Sequence, residues 1–394
     1  MRTRGRTQGL PDSRSTAPLG SPLLWHGGMR VALVHDWLVT ARGGERVLEA
    51  LCRMFPGADL FTLLHARGSQ SALIEQRRIV TSFLDRVPGV ERRYRHLLPL
   101  MPAAIESLRL DGYGLVLSSS HCVAKGVRAP PGARHLSYVH APMRYMWDLF
   151  DDYFSPGRAP LAVRLAARAT QPWLRAWDRG SAQRPDALVA NSHHVAGKVR
   201  AFWGREAEVV HPPVDLARFT AGSPGEGRGG YFLWLGALAP YKRVDLALEA
   251  FRRTGLPLWV AGDGQEAGRL RGALPPNVKL LGKVADADVP GLYRDARALV
   301  FPGEEDFGIT PLEAQASGRP VIALGRGGAL ETVTARTGVL FREQTVEGLV
   351  EAVRTFEAQF EPGFRPEEAR AQAARFSPEA FEVGIRGQLQ RLGM

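Results

Sequence analysis

Nine short apolar runs, each followed by a longer amphipathic stretch, constrain this chain more than any single residue does. "RVALVHDW", "GLVLSSS", "ARHLSYVH" and "DALVANS" lie in the first half; "GYFLWLG", "LPLWVAGDG", "NVKLLGKV", "ALVFPG" and "RPVIALG" lie in the second. Runs that end in Gly, Ser, Asn or His before a helical segment are the pattern of parallel α/β architecture. Two such series predict two Rossmann-like domains, and 394 residues exceed what one compact core accommodates. The Gly-, Ser- and Pro-dense "TAGSPGEGRGG", residues 220 to 230, is the expected joint. The organisation read from this is a basic disordered tail (1–28), a first domain (29–219), a second domain (220–376) and a C-terminal helix (377–394) packing back toward the first. Open parallel sheets carry ligands at the carboxyl ends of their strands, so the residues after each run matter most.

Composition excludes several classes. Cys52 and Cys122 are too few for a disulfide framework, and no Cys/His spacing suggests a metal centre, so a reducing, cytoplasmic setting is expected. No segment approaches the roughly 18 apolar residues that span a bilayer, and the tail lacks the apolar core of a secretory signal. Met29 opens a strand directly, which also fits a start codon placed too early. The net charge is +11; residues 1 to 220 hold 30 Lys and Arg against 18 Asp and Glu, so the excess is confined to the first half. Such a half fits an anionic partner, with peripheral contact to the inner face of a membrane as one form. Only five of the 51 basic residues are Lys, and Arg usage of a GC-rich genome explains the excess equally well. "ERRYRHLLPLMPAAIESLRL", residues 91 to 110, reads either as a membrane-surface segment or as a surface helix with its apolar side on the core; Pro99 and Pro102 interrupt it. Nucleic-acid binding would rest on charge alone and is not expected.

Four motifs carry candidate chemistry. Arg42-Gly43-Gly44 stands between a strand and an amphipathic helix, where bare N–H groups and the helix dipole can meet an anion. His140 follows a strand and can hydrogen-bond a substrate hydroxyl or serve the fold. Lys242 and Arg243 follow the first strand of the second half, where two cations could neutralise a diphosphate; their helix has Val244, Leu246, Leu248 and Phe251 on its apolar face. In "GEEDFGITPLEAQASGRP", Thr310, Pro311 and Glu313 fit a Thr-x-x-Glu capping box on a helix ending near Gly318, which leaves Glu305 without a structural role. Asn191-Ser192 reads as a turn and cap. His193 and His194, adjacent on the helix that follows, are not expected to form a metal pair.

Together these residues resemble the retaining glycosyltransferases of family 4, whose signature is two Glu eight positions apart with Phe-Gly between; here it reads Glu305-Asp306-Phe307-Gly308-Ile309-Thr310-Pro311-Leu312-Glu313. The resemblance runs from Met29 to about residue 390. "YKRVDLA", "SSSHCVAKGV" and "YVHAPMRYMWD" are most similar to the mannosyltransferase-like branch that uses GDP-mannose. It implies the GT-B fold, two Rossmann-like domains facing each other across a cleft, with donor on the second and acceptor on the first. It also implies roles: Glu313 on the ribose, Glu305 on the sugar hydroxyls, the Phe307, Gly308 and Ile309 backbone near sugar and phosphates, Lys242 on the diphosphate, His140 beside the reacting sugar, and Gly43 and Gly44 closing over the diphosphate. One departure stands out: Ala237 lies where many members carry an arginine.

The implied reaction moves a hexose, mannose by the closest resemblance, from a nucleotide diphosphate donor to a saccharide or lipid-linked saccharide with retention. Lys242, Arg243 and the Gly43-Gly44 amides would stabilise the leaving diphosphate. No nucleophile-plus-acid carboxylate pair of the hydrolase kind is evident. No Asp-x-Asp suggests a metal, so neither metal nor cofactor is expected. A UDP- or ADP-sugar donor, or a nucleotide-sugar-binding subunit without turnover, are the alternatives. A nicotinamide enzyme would need a G-x-G-x-x-G fingerprint, which is missing.

Overall fold

The computed structural model describes residues 28–40, 43–219, 229–272 and 274–394. The expected tail up to residue 27, Arg42 and most of the expected joint lie outside the described residues.

Two all-parallel sheets organise the chain. The first is formed by β1 (Val31–His35), β2 (Asp59–Thr62), β3 (Ile79–Thr81), β4 (Leu115–Ser120), β5 (Arg134–Val139), β6 (Ala187–Ala190) and β7 (Glu208–Val209), in the order β3-β2-β1-β4-β5-β6-β7. The second is formed by β8 (Phe232–Leu235), β9 (Leu258–Ala261), β10 (Val278–Gly282), β11 (Leu299–Phe301), β12 (Val321–Leu324) and β13 (Gly338–Phe341), in the order β10-β9-β8-β11-β12-β13. All nine runs read from sequence are strands. β2, β3, β7 and β13 are four further strands, each of four residues or fewer, too short for their pattern to stand out. The strand order reverses between β1 and β4 and again between β8 and β11. Those switch points are where an open parallel sheet forms a crevice for ligands.

The strands run nearly unbroken in apolar residues because helices cover both faces of each sheet. The helix Gly43–Met54 buries Val47, Leu48, Leu51 and Cys52 in a cluster with Leu33, Leu60 and Leu117. The last helix, Pro378–Arg391, places Phe381, Ile385 and Leu389 in that same cluster, with the Phe381 ring 5.6 Å from that of Tyr138. The chain therefore passes between the sheets twice. The two passages are tied together where Val214 donates its N–H to the Phe376 carbonyl at 2.8 Å.

Residues 91 to 110 split into a helix (Val90–Arg93), a 3-10 segment (Tyr94–Leu100) and a helix (Met101–Glu106). Met101, Ala104 and Ile105 are buried in the first sheet's core and Leu97 and Leu98 pack against it, so the apolar side of this stretch is used within the fold. A second buried feature was not foreseen. Lys125 and Asp178, both fully buried, pair at 2.5 Å. The other Asp178 oxygen accepts from Trp147 Nε1 at 2.8 Å and Trp203 Nε1 at 2.7 Å. Lys125 also donates to the Cys122 carbonyl at 3.0 Å and lies 4.7 Å from the Trp203 ring. Full satisfaction of both charges is what makes such burial tolerable.

Candidate active site

The first switch point gathers groups from β1 and β4. His35 ends β1, and its Nδ1 lies 3.2 Å from Ser119 Oγ; His140, one residue past β5, places Nε2 2.8 Å from the same hydroxyl. Asp36 follows β1 and is fully buried. Its two oxygens accept four backbone N–H groups, from His121, Cys122, Val123 and Ala124, at 2.6 to 3.0 Å, and His121 Nδ1 lies 3.0 Å from Oδ2. Burial pushes this carboxyl up, but the His121 and His35 rings and the backbone donors outweigh it and hold it below the usual range. Burial drives the His140 ring well below the ordinary imidazole value, helped by His121 and His35, so His140 is neutral at physiological pH. Gly44 lies against this cluster: a Cβ there would be 3.6 Å from His35 Cε1 and 3.8 Å from His140 Nε2.

The second switch point holds the two glutamates. β8 ends at Leu235, and a 3-10 turn, Pro240–Lys242, brings Lys242 back over Gly236. β11 ends at Phe301, and Gly303 packs so closely on Lys242 that a Cβ would sit 2.7 Å from its Cα. Glu305 then accepts from Lys242 Nζ at 2.6 Å. Burial favours the neutral amine, but Glu305 outweighs it and the Lys242 ammonium is held above its usual range. Arg243 does not join them. It occupies the left-handed region (φ 51°), the one described non-glycine residue with positive φ, and its Nε pairs with Asp245 at 3.1 Å.

The capping box expected at Thr310 does not form. The helix Ile309–Ala316 is entered through Gly308 at φ 77°, ψ 88°, with no side-chain cap, and Thr310 Oγ1 is buried without a hydrogen-bond partner. A left-handed Gly308 starts the helix two residues early, so Thr310 lies inside the helix rather than ahead of it. Glu313 is thereby free of backbone duty and instead accepts from the Tyr293 hydroxyl at 2.8 Å. Burial raises the Glu313 carboxyl above its ordinary value, against the Tyr293 bond and the attraction of Arg218 and Arg46. The helix ends as read, with Gly318 at φ 70°. Phe307 is buried; Gly308 is bare against the Phe301 ring, and Gly328 against the Phe307 backbone.

Side chains from the two sheets meet across the cleft. Asp306 faces the first half, pairing with Arg144 at 2.8 Å and Lys198 at 2.7 Å, and its carbonyl accepts from Ser192 Oγ at 2.6 Å. Burial opposes its charge, yet the two cations hold Asp306 below the usual carboxylate range. The Arg144 guanidinium also lies 5.8 Å from the Tyr241 ring. Glu331 reaches the helix His193–Trp203, accepting from the N–H groups of His193 (2.9 Å) and His194 (3.0 Å) and lying 2.9 Å from His211 Nε2. Arg46 pairs with Asp286 and Arg158 with Glu266. Ser192 caps its helix as read, accepting from Val195 N–H. His193, His211 and Glu331 place ligand-capable atoms within 4.8 Å of one another, with Glu331 already taken up by those three donors.

The structure thus brings Lys242 with Glu305, and Gly44 with His140, and stands Arg243 apart. Sequence reasoning missed His35, Asp36, Ser119, His121, Arg144 and Tyr293. An acid directly after the apolar run "VALVH" was the available signal for Asp36.

Two Rossmann-like domains with polar groups at facing switch points are a GT-B glycosyltransferase fold, and solved structures agree: Anabaena HepE, in complex with UDP and glucose (TM-score 0.66, 16% identity, 91% of this chain and 99% of that one), and sucrose-phosphate synthase from Thermosynechococcus elongatus (TM-score 0.69, 18% identity, 92% and 98%). Residues 41–218 match the family model described as Glycosyltransferase Family 4, and residues 229–358 that described as Glycosyl transferases group 1. The chain belongs to glycosyltransferase family 4. Among curated relatives, a GDP-mannose-dependent alpha-mannosyltransferase of Mycolicibacterium smegmatis is 33% identical over 45% of this chain and 48% of its own length. A D-inositol 3-phosphate glycosyltransferase of Segniliparus rotundus is 28% identical over 51% of each. The matches span about half the length of these relatives.

Proposed function

We propose that the chain transfers a hexose from a nucleoside diphosphate donor to a saccharide or lipid-linked saccharide hydroxyl with retained anomeric configuration, with GDP-mannose as the first donor to test. The observation that carries this is the Lys242–Glu305 pair at the β8/β11 switch point. An ammonium held charged is suited to a leaving diphosphate, and the carboxylate it neutralises is suited to accept sugar hydroxyls once the phosphates take over the lysine. Glu313, kept off the helix backbone and bonded to the Tyr293 hydroxyl, is suited to bond a ribose hydroxyl. Neutral His140 and the bare Gly44 beside it, on the first half, are suited to meet the reacting sugar. The leaving phosphate takes the acceptor proton, so no protein base is required.

Ala237, just past β8, keeps a second reading in view: Lys242 there has no arginine beside it from β8, and Arg243 is paired with Asp245. That would suit a nucleotide-sugar-binding subunit. Purified protein assayed with GDP-mannose and UDP-, ADP- and GDP-linked hexoses for binding, hydrolysis and transfer separates the cases. Transfer from any donor supports the proposal; binding without turnover supports the subunit; failure of every donor to bind overturns both.

A further inference from the structure

The 21-residue helix Leu161–Ser181 is buried along one side only, through Ala167, Leu174, Asp178 and Ser181. At 100° per residue these lie within one narrow stripe. The opposite side carries Leu161 (63% exposed), Leu165 (59%) and Trp173 (50%), three of the largest exposed apolar residues among those described. The rest of that side is Ala162, Ala169, Pro172, Ala176 and Gly180, all exposed. Along one flank, at i, i+4, i+11 and i+15, run Arg164, Arg168, Arg175 and Arg179. The single acid of the helix, Asp178, is buried and committed to Lys125, so the exposed side holds no negative charge.

A shallow groove of about 330 Å³ opens on that flank, lined by Trp147, Gln171, Pro172, Arg175 and Arg179. Both arginines stack over the Trp147 ring, at 5.0 and 5.7 Å. No described helix is long and apolar enough to cross a membrane. An apolar stripe with a cationic edge and an interfacial Trp is the composition of a helix that lies in the plane of a bilayer, its leucines among the acyl chains and its arginines on phosphates. The helix also begins seven residues after the helix Phe150–Phe154, which packs both on it and on the Pro240–Lys242 turn.

We infer that the outward face of Leu161–Ser181 is a docking surface for an anionic lipid bilayer, with the Arg175/Arg179 groove receiving a phosphate headgroup. This stands on the face alone and is independent of the donor or the reaction. Full-length protein is floated with phosphatidylglycerol/phosphatidylcholine vesicles and with pure phosphatidylcholine vesicles, alongside Leu161→Ser/Leu165→Ser/Trp173→Ser, with thermal melting as the check on folding. The expected result is at least 10-fold stronger binding to the anionic vesicles, weakened by added salt, and a loss of 10-fold or more in the triple variant at unchanged melting temperature. An Arg168→Glu variant is expected to lose anionic binding several-fold. Vesicle binding by the triple variant equal to that of the parent, or no vesicle binding by the parent, overturns the proposal. So does a parent that sediments as a dimer and a triple variant that is monomeric without any vesicle effect, which would assign the face to a second copy of the chain.

Discussion

Lys242 and Glu305, sixty-three residues apart and on loops after adjacent strands, meet at 2.6 Å. Each neutralises the other, so a donor diphosphate bound at Lys242 as proposed would compete with Glu305 for the ammonium. Glu305→Ala is expected to lower sugar transfer by about 100-fold or more while leaving nucleotide binding largely in place. Lys242→Ala is expected to weaken donor binding about 10-fold or more. The double variant should be no worse than the poorer single one, because the two act as a unit. Additive losses in a full kinetic cycle would show that they work separately.

Asp178 carries a different kind of obligation. Replacing it with Ala strands the Lys125 ammonium and two indole N–H groups in the core. A stability loss of about 3 to 5 kcal/mol is expected from removing one partner of a buried pair. Lys125→Met with Asp178→Leu should recover much of it. Denaturant melts of the parent and the two variants give the comparison, and an Asp178→Ala variant within about 1 kcal/mol of the parent would contradict the arrangement.

Acid should weaken the fold in two stages. Burial lowers the His135 ring to about 4, whereas the unfolded imidazole titrates near 6.5. Between those values the unfolded chain binds more protons, so stability is full above pH 6.5 and is lost progressively down to about pH 4. The shift corresponds to roughly 3 kcal/mol. His121 and His140, also lowered, act with the same sign. Asp36, whose carboxyl is depressed, adds a further loss as pH falls below its unfolded value. His135→Gln should flatten the upper stage; an unchanged slope from pH 6.5 to 4 would remove His135 from the account.

Glu331 joins the halves from the second sheet's side. Glu331→Ala removes the acceptor for His193 and His194 N–H and for His211, and is expected to cost about 1 to 2 kcal/mol. Small-angle scattering should report a larger radius of gyration than the parent shows. Superimposable profiles and melts would mean that Asp306 and the arginines hold the cleft without it.

The strands of both sheets were legible in sequence because buried parallel strands are apolar on both faces and end at small or polar residues. Short edge strands such as β3 and β13 lack the length for that pattern. The helix Val244–Thr254 buries all four residues of its expected apolar face. The site was legible only where a residue follows a strand, as Lys242, Glu305 and His140 do. What could not be read was conformation at single positions: positive φ at Gly308 undid the capping box, and at Arg243 it accompanies a side chain turned to Asp245. Partners across the cleft, such as Asp306 with Arg144 or Glu331 with His211, depend on how two separately legible sheets face each other. No local pattern encodes that.

The two passages of the chain between the sheets, joined by the Val214–Phe376 hydrogen bond, have a mechanical consequence. Halves on one tether could tumble relative to each other and would have to find their register anew. Two tethers bonded side by side leave essentially one rotation, about the line that they define. Any opening of the cleft would then be retraced on closing, and Gly44, beside His35 and His140, would return to the same place facing the second sheet.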